Sequence, residues 1–568
     1  MAGKKQPPRD GAEAILLGLK ENGVEYLFAN AGTDFPPIIE AFAKRSADEL
    51  PQPVTVAHES VAMGMAHGYY LATARPQAVM VHVNVGLANA VMGAINAASD
   101  NVPLLLMSGR TPITETGRDW ARATPIQYGQ EMYDQTGLVR DTVKYTYEMR
   151  YPEQGGALVS RALAIAGTAP QGPVYLSLPR EPLGEPVQKG QQVRLQPQPA
   201  SGRAVPDPER LQLLASWLEA AETPLILAQR GDPHGQLAQA VSALCNRYGI
   251  AVVEPFCVRN LLASTDPVLA GYQAGERIAA ADLILVLDNA VPWIELNQAP
   301  PEKARIVHLG PDPLFAKMPV RSYRSDLNIA ADPLAIIEGL AAVMGPAGPR
   351  HQARLAELGA QSAKRRQQAQ KRAEQGAGRP MSAEWISQCV AEIMDEEAIA
   401  FSELCLLAGF MNLAGPNRLF GNPHSGGLGW ALPAALGAQL ANRDRLVIAG
   451  MGDGSYMFAN PVACHQIAEA LSLPVLTIIK NNASWNAVRR SVLRGYPNGA
   501  AVQSNQMALT GLQPIPDFQQ VAAASRAHSE RVEDGADLPA ALARAVAIIR
   551  QEKRQVVLDL VTEISNDH

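Results

Sequence analysis

Short apolar runs alternate with longer stretches of mixed polarity along most of the 568-residue chain. Runs rich in Val, Ile and Leu predict strands that are buried on both faces of a sheet, and the stretches between them have helical patterns. Repeated alternation of this kind predicts an α/β fold of doubly wound parallel sheets covered by helices. The clearest predicted strands are residues 26–29, 78–81, 174–178, 224–228, 283–287, 305–309 and 556–561.

Two segments lack this alternating pattern. Residues 184–206 are rich in Gln and Pro and have little apolar periodicity. Residues 344–380 mix Lys and Arg with Gln, Ala and Glu and contain no aromatic residue, which favours a solvated helical linker over a nucleic-acid site. Because a chain of this length buries several cores, three domains are expected. The predicted boundaries are an N-terminal domain over 1–183, a central domain over 207–343, a linker over 344–380 and a C-terminal domain over 381–568.

The overall composition is that of a globular protein, with 47% hydrophobic and 18% charged residues. A net charge of −6 gives no electrostatic reason to expect nucleic-acid binding. No apolar run is long enough to span a bilayer, and the basic N-terminal stretch is not followed by an apolar signal core. The five cysteines are scattered without metal or disulfide spacing. We therefore expect a cytoplasmic protein without membrane or nucleic-acid partners.

One strand–helix–strand unit in the C-terminal third carries the most informative chemistry. An apolar run at 445–450 leads to Gly-Asp-Gly-Ser at 452–455, and a second run at 473–479 leads to Asn-Asn at 481–482. A helical pattern lies between the two runs, so a right-handed parallel crossover is expected. Both polar segments would then meet at the carboxyl ends of neighbouring strands, where open α/β sheets bind ligands.

In that geometry Asp453 and Asn482 offer one carboxylate and one amide oxygen. This is an incomplete protein cage, but it suits Mg²⁺, which takes further oxygen ligands from phosphates and water. The alternative is that Gly-Asp-Gly is only a turn and Asn-Asn only a strand end. Their presence together on one predicted unit favours the metal site.

This pair of segments resembles, in residue type and spacing, the diphosphate–magnesium motif of thiamine diphosphate enzymes. That family includes acetolactate synthase, benzoylformate decarboxylase and pyruvate decarboxylase, and the resemblance extends over essentially the whole chain. It implies a pyrimidine-binding, a central and a diphosphate-binding domain, in that order. It also implies thiamine diphosphate and Mg²⁺ as cofactors, with a further metal bond from the Ser484 carbonyl. The cofactor-binding residues that it implies in this motif are Gly452, Asp453, Gly454, Ser455 and Asn482.

A glutamate that activates the cofactor is the next feature that the resemblance implies. In the family, a buried glutamate hydrogen-bonds the aminopyrimidine ring and promotes proton loss from the thiazolium carbon. Here a strand pattern at 54–58 leads to Glu59, and a helix rich in small residues follows. Burial against an apolar ring would favour the neutral carboxyl group, which suits sharing a proton with a ring nitrogen. The alternative is an acidic residue in the first turn of a helix, where the macrodipole favours it.

Three residues in the N-terminal domain match positions around the reactive end of the cofactor. Thr33, in the Asn-Ala-Gly-Thr-Asp turn at 30–34, takes the place of an active-site serine of benzoylformate decarboxylase. His82 stands where that decarboxylase has a catalytic histidine, and an imidazole can relay protons near neutral pH. The alternative is a structural histidine at a strand end. Asn84 is expected to bind substrate or water.

Four residues in the C-terminal domain complete the implied site. Residues 424–433 resemble the Gly-Gly-Leu-Gly-Phe segment of the decarboxylases. Gly427 would permit close backbone approach, and Leu428 matches the bulky residue that holds the cofactor bent. Trp485 and Asn486 are expected to line the substrate side, and Asn486 is also expected to contact the cofactor.

Some segments depart from the family pattern. Residues 402–406 stand where the decarboxylase has hydroxyl-bearing residues on the diphosphate, so those contacts must come from backbone amides or elsewhere. Arg110 stands where synthases have Gln. Residues 287–293 lack the arginine pattern of FAD-binding synthases, so we expect no FAD.

The resulting expectation is a thiamine diphosphate enzyme that cleaves or forms a C–C bond next to a carbonyl. A non-oxidative 2-keto acid decarboxylase with carboligase capacity is favoured, acting on a small 2-keto acid or aldehyde as a homodimer or homotetramer. The alternatives are an acetolactate synthase, a 2-hydroxyacyl-CoA lyase and an inactive cofactor-binding scaffold. Retention of Glu59, Asp453 and Asn482 in one chain weighs against the scaffold.

Overall fold

The computed structural model describes residues 6–566, so the basic Lys4 and Lys5 of the N-terminal stretch lie outside it. The chain forms two compact units. The first contains the chain up to Gly202 together with Pro423–Arg443 and Ala459–Leu471, and the second contains the remainder. Within the described residues, no helix has the length and apolar character needed to cross a membrane. The predicted domain boundaries stay predictions.

The first unit contains a six-stranded sheet in which all neighbouring strands are parallel. Its strands are β1 Tyr26–Ala29, β2 Gln52–Thr55, β3 Ala78–Val81, β4 Leu105–Arg110, β5 Thr146–Glu148 and β6 Val174–Pro179. Its helices up to Gly184 are α1 Gly11–Glu21, α2 Pro36–Lys44, α3 Glu59–Thr73, α4 Val83–Ser99, α5 Ile126–Gly129, α6 Gly155–Gly167 and α7 Arg180–Gly184. The strand order is β2-β1-β3-β4-β6-β5, so the chain changes direction across the sheet between β1 and β3.

The second unit contains two further sheets, and all strand pairs in the first of these are parallel. Its strands are β7 Pro224–Ala228, β8 Ala251–Val253, β9 Leu269–Gly271, β10 Leu283–Leu287, β11 Arg305–Gly310 and β12 Leu327–Ala330, in the order β12-β11-β10-β7-β8-β9. The accompanying helices are α8 Pro208–Ala220, α9 Gln236–Tyr248, α10 Gly275–Ala280, α11 Pro333–Val343 and α12 Pro349–Gln375. Ile226 and Ala228 pack into one core while Leu225 and Leu227 pack into another, because successive side chains point to opposite faces.

The last sheet is also parallel throughout and repeats the strand order of the first, as β14-β13-β15-β16-β18-β17. Its strands are β13 Ile399–Glu403, β14 Leu419–Gly421, β15 Val447–Gly452, β16 Leu476–Asn481, β17 His528–Val532 and β18 Val556–Val561. The helices of this part of the chain are α13 Ala383–Ile393, α14 Ala431–Ala441, α15 Asp453–Phe458, α16 Pro461–Ala470, α17 Asn486–Gly495, α18 Ala500–Ser504, α19 Phe518–Ala523 and α20 Leu538–Glu552. Short 3-10 helices lie at Ala47–Glu49, Gln135–Leu138, Pro152–Gln154, Ala408–Phe410 and Gly535–Asp537.

The predicted α/β class with three parallel sheets is confirmed. Strand β16 begins later than predicted because Pro474 has no N–H to donate to a neighbouring strand. Both β15 and β16 continue further than predicted, since Gly452 still pairs with Lys480 and Asn481 with Val561.

The segment between residues 344 and 380 is helical, as predicted, but it is not only a solvated linker. Leu358 of α12 is buried in one core of the central sheet. Arg365 and Arg366 donate hydrogen bonds to the carbonyls of Leu269 and Ser264, at 2.7 and 3.1 Å. These basic side chains therefore fix the helix to its own domain.

Helix α3 packs closely against α14 within the first unit. A Cβ at Gly68 would approach the Ala434 carbonyl oxygen to 1.9 Å, and one at Gly437 would approach the Met65 carbonyl oxygen to 1.9 Å. The small residues of α3 thus allow two helix backbones to touch, which positions the start of α3 firmly.

Candidate functional site

The predicted metal corner forms at the carboxyl ends of β15 and β16 in the second unit. Asp453 begins α15 directly after β15, and Asn482 follows β16. The Asn482 N–H donates to Oδ2 of Asp453 at 3.1 Å, while the Gly454 N–H donates to Oδ1 at 2.7 Å. The predicted meeting of Asp453 and Asn482 is therefore confirmed.

The chemistry of this corner fits a divalent cation. Asp453 is 3% exposed, and burial raises the pKa of its carboxyl group against the opposing effect of backbone N–H groups. The charge of the buried Lys480 interacts with that of Asp453, and among the described residues no cluster of three or more His, Cys, Asp or Glu surrounds it. A nearby cation would compensate the buried charge. One carboxylate and one amide leave the other positions to phosphate and water, as Mg²⁺ prefers.

The loop after Asn482 is tightly bonded to itself. Ala483 has a φ of +54°, a left-handed conformation that few residues other than glycine adopt readily. The Ser484 N–H donates to Oδ1 of Asn482 at 3.1 Å, and the Ser484 carbonyl accepts from the Asn486 N–H at 2.8 Å. The predicted role of the Ser484 carbonyl as a metal ligand stays a prediction.

Trp485 covers the start of α15 in the same unit. A Cβ at Gly454 would lie 2.3 Å from the Trp485 ring, so only glycine fits there. The Phe458 ring contacts the Trp485 indole edge-on, with ring centroids 5.9 Å apart. Ser455 is buried beneath, at 4% exposure. Asn486, by contrast, donates from Nδ2 to the Ser565 carbonyl at 2.8 Å and so ties α17 to the C-terminal segment.

The segment 402–406, at the end of β13, contains one hydroxyl group, and this group is hydrogen-bonded within the segment. Oγ of Ser402 donates to the Leu406 carbonyl at 3.0 Å and accepts from the Leu406 N–H at 2.9 Å. Leu404, between them, is 53% exposed with a φ of +60°. This supports the expectation that a diphosphate would meet backbone amides or other residues here.

Glu59 lies in the first unit as the first residue of α3, and its side chain is buried at 8% exposure. Asn89 of α4 donates from Nδ2 to Oε2 of Glu59 at 3.1 Å. A Cβ at Gly86 would lie 3.2 Å from Oε1, so the carboxyl group is enclosed by α4. The carboxyl group is thus enclosed, unlike an exposed first-turn acid, and the proton-sharing role of Glu59 stays a prediction.

His82 lies between β3 and α4, where it contacts two side chains that are distant in sequence. Its Nδ1 is 2.5 Å from Oδ1 of Asp34, and its Nε2 is 3.0 Å from Nε2 of Gln130. The hydrogen bond to Asp34 raises the pKa of His82, burial opposes this, and the charges of Asp34 and Glu59 add to the increase. Both ring nitrogens of His82 therefore have side-chain partners, so His82 is not an isolated histidine at a strand end.

The two remaining predicted residues of the N-terminal site have different surroundings. Thr33 is exposed in the turn before α2. Asn84 lies in the first turn of α4, and its Oδ1 is buried with no hydrogen-bond partner among the described residues. An unsatisfied buried acceptor of this kind suits a bound donor, because leaving it unpaired is unfavourable.

Gly427 is fixed by a side chain of α4 in the first unit. Asn96 donates from Nδ2 to the Gly427 carbonyl at 2.9 Å and accepts from the Gly427 N–H at 3.2 Å. A Cβ at Gly427 would lie 2.5 Å from Oδ1 of Asn96, so this contact requires glycine. The next residue, Leu428, is half-buried. Its predicted contact with the cofactor stays a prediction.

Each unit thus holds a group of predicted residues. The first brings Glu59 and His82 onto α3, α4 and the end of β3, and the second brings Asp453, Asn482 and Trp485 together. The sequence alone did not indicate Asp34, Asn89 and Gln130 as partners of these residues. An acidic residue beside Thr33 in a turn after a strand was a usable signal for Asp34, whereas nothing local marks Gln130.

The chain is similar to known decarboxylases and synthases along most of its length. A benzoylformate decarboxylase of Pseudomonas aeruginosa is 26% identical over 494 residues, covering 83% of this chain and 85% of that protein. An acetolactate synthase large subunit of Parasynechococcus marenigrum is 24% identical over 528 residues, covering 84% and 77%. The crystal structure of benzoylformate decarboxylase from Polynucleobacter necessarius has the same fold, with a TM-score of 0.79 at 20% identity over 98% of this chain and 99% of that one.

Three protein-family models match successive parts of the chain. The N-terminal TPP binding domain of thiamine pyrophosphate enzymes matches residues 9–138, the central domain residues 211–340, and the C-terminal TPP binding domain residues 404–560. Together they account for more than half of the sequence, in the order that the resemblance implies. The chain belongs to the thiamine pyrophosphate enzyme family, whose members include decarboxylases and carboligases.

Proposed function

We propose that this enzyme is a non-oxidative 2-keto acid decarboxylase with carboligase capacity that requires Mg²⁺. The observation that carries the proposal is His82, held between Asp34 and Gln130 at the carboxyl edge of the first sheet. Similarity to a benzoylformate decarboxylase supports the same assignment.

The histidine favours decarboxylation because of what must follow CO₂ loss. The electrons left at the former carbonyl carbon take up a proton in a decarboxylase and join a second carbonyl compound in a carboligase. An imidazole that titrates near neutral pH can supply that proton. In its protonated form, His82 would donate that proton from Nε2, while the Nδ1–H stays hydrogen-bonded to Asp34.

The other site residues have complementary tasks. When bound, thiamine diphosphate supplies the electron sink for chemistry at the carbonyl carbon. Asp453 and Asn482 would provide oxygen ligands to the magnesium ion, and Glu59 would hold a proton for the pyrimidine ring. Thr33, Asn84 and Trp485 are proposed to orient substrate, and Gly427, Leu428 and Asn486 to contact cofactor.

The proposal is tested by measuring CO₂ and aldehyde release from a panel of aromatic and aliphatic 2-keto acids. The purified enzyme is first loaded with thiamine diphosphate and Mg²⁺, and its bound cofactors are quantified. Aldehyde formed in step with CO₂ is the expected result. Acetolactate from pyruvate, together with bound flavin, would instead support a synthase.

The same assay addresses the remaining alternatives. Release of an aldehyde from a 2-hydroxyacyl-CoA, without turnover of any 2-keto acid, would identify a lyase. Stoichiometric cofactor with no turnover of either substrate class would refute the proposal and leave a scaffold.

A further inference from the structure

Asp34 is committed through both of its carboxylate oxygens to the junction between β3 and α4. Oδ1 lies 2.5 Å from Nδ1 of His82, and Oδ2 accepts the backbone N–H of Val83 at 3.3 Å. The side chain is only 4% exposed. A buried carboxylate with both oxygens engaged is a fixed reference point for the imidazole.

Two glycines make room for this pair. A Cβ at Gly32 would lie 2.1 Å from Nδ1 of His82, and one at Gly109 would lie 1.7 Å from Oδ2 of Asp34. Real Cβ atoms do not approach other atoms so closely, so any other residue at these positions would separate the carboxylate from the ring. The contact therefore depends on four positions from three separate strand ends.

The backbone at this junction is strained. Val83 has a φ of +34°, an unfavourable conformation for a β-branched residue. Its N–H is the group that Oδ2 of Asp34 accepts. One carboxylate thus holds both the strained residue and the imidazole before it, which ties the start of α4 to the orientation of His82.

The opposite edge of the ring is held by Gln130, which is 8% exposed. Its amide nitrogen lies 3.0 Å from Nε2 of His82. The Asp34 carboxylate can only accept, so the proton of the neutral ring is on Nδ1, and the Gln130 amide nitrogen in this orientation donates to Nε2. The two partners together select one tautomer.

An ion-pair network holds the segment that carries Gln130. The carboxylate of the adjacent Glu131 accepts hydrogen bonds from Arg110 at 2.7 Å, Thr111 at 2.6 Å and Arg122 at 2.5 Å. Arg110 also pairs with Glu148 at 2.6 Å. Arg110, which departs from the synthase pattern, therefore acts from behind Gln130 and not on His82 directly.

We propose that Asp34 and Gln130 are positioning residues that hold the neutral His82 ring with its proton on Nδ1, which leaves Nε2 as the nitrogen that gains and gives up the transferred proton. The inference rests on the proton-transfer role proposed above for His82 and adds the residues through which that role is set. Asp34 and Glu59 are the titratable groups whose charges act on His82 in the described part of the chain. Gln130 and Asn84 are neutral.

The test follows His82 by NMR in the holoenzyme labelled with ¹³Cε1 and ring ¹⁵N histidine, using His82→Ala to assign its signal. Asp34→Asn removes the negative charge beside Nδ1 and should lower the pKa of His82. Gln130→Met removes a donor that favours the neutral ring and should raise the pKa instead. The wild-type ¹⁵N shifts should report the Nδ1–H tautomer.

Asp100→Asn is the matched control. His67 and Asp100 form a second buried His–Asp pair in the same unit, with Nε2 of His67 3.1 Å from Oδ2 of Asp100. This variant should leave the titration of His82 unchanged, because the charges that act on His82 are those of Asp34 and Glu59. An equal effect of Asp100→Asn and Asp34→Asn on His82 would overturn the inference.

The kinetic arm separates this inference from the proposed function. In an active enzyme, Asp34→Asn should shift the basic limb of the kcat/KM profile to lower pH, in parallel with the titration of His82, because the proposed proton donor is active only while protonated. An unshifted His82 titration, or a wild-type Nε2–H tautomer, overturns the inference whatever the activity. A shifted titration with an unchanged kinetic profile supports the positioning role and removes His82 from the rate-limiting proton transfer.

Discussion

We predict that Glu254, which directly follows β8, makes the stability of a loop at the carboxyl edge of the central sheet depend on pH. The side chain is completely buried, and its two oxygens accept the N–H groups of Leu262 and Leu261, each at 2.9 Å. Burial raises the pKa of its carboxyl group from the ordinary 4.5 to about 7, although these hydrogen bonds oppose the increase. We predict that the loop from Glu254 to Leu262 opens more readily as pH rises.

The direction and size follow from proton linkage. Because the folded pKa exceeds that of the solvated group, the closed loop binds more protons between pH 4.5 and about 7. The stabilisation by Glu254 is therefore complete below pH 4.5 and is lost as pH rises through 7. A difference of about 2.5 pH units, at about 1.36 kcal/mol for each, corresponds to about 3 kcal/mol, or roughly three hundredfold in the opening equilibrium over the full titration.

Amide hydrogen exchange of a peptide covering residues 254–262 measures this opening, after correction for the intrinsic pH dependence of exchange. Protection of the wild-type segment should fall by roughly two orders of magnitude between pH 5 and pH 8. Glu254→Gln cannot ionise and should show a flat profile. Glu209→Gln, which removes an exposed carboxylate of α8, should behave like wild type. Protection that stays constant or increases with pH in the wild type would refute the reasoning, because the backbone hydrogen bonds would then outweigh the burial of charge.

Three further predictions concern the candidate site. Asp453→Ala should lose both metal and thiamine diphosphate, because it removes the charged ligand proposed for the ion; stoichiometric cofactor in that variant under excess chelator would contradict the assignment. Glu59→Gln should retain cofactor yet turn over on the order of 10² to 10⁴ times more slowly, with slower exchange of the thiazolium C2 proton; equal exchange rates would place the proton relay elsewhere. The resemblance implies a homodimer in which Glu59 of one subunit works with Asp453 of the other, so mixing Glu59→Gln with Asp453→Ala under subunit exchange should restore some activity. No recovery in verified heterodimers would favour a site built within one chain.

The sequence by itself determined the class of the fold and the places of the main motifs. Runs such as 283–287 can only be buried on both faces of a sheet, so strands and helical crossovers follow from the pattern of polarity. The spacing between Asp453 and Asn482 likewise implies their meeting, because one crossover connects neighbouring parallel strands. These constraints are local, because each can be recognised within one continuous segment of the sequence.

The tertiary structure decided which distant side chains touch. Asp34 and Gln130 each lie 48 positions from His82, and Asn96 lies 331 positions from Gly427. No local pattern encodes such pairs, because they depend on the order in which the strands assemble and on where loops cross the sheet edge. The sheet brings the ends of β1 and β3 together, and the clearance left by two glycines lets a carboxylate reach an imidazole there. The sequence identified His82 as a candidate, but only the tertiary structure shows which side chains are hydrogen-bonded to its ring nitrogens.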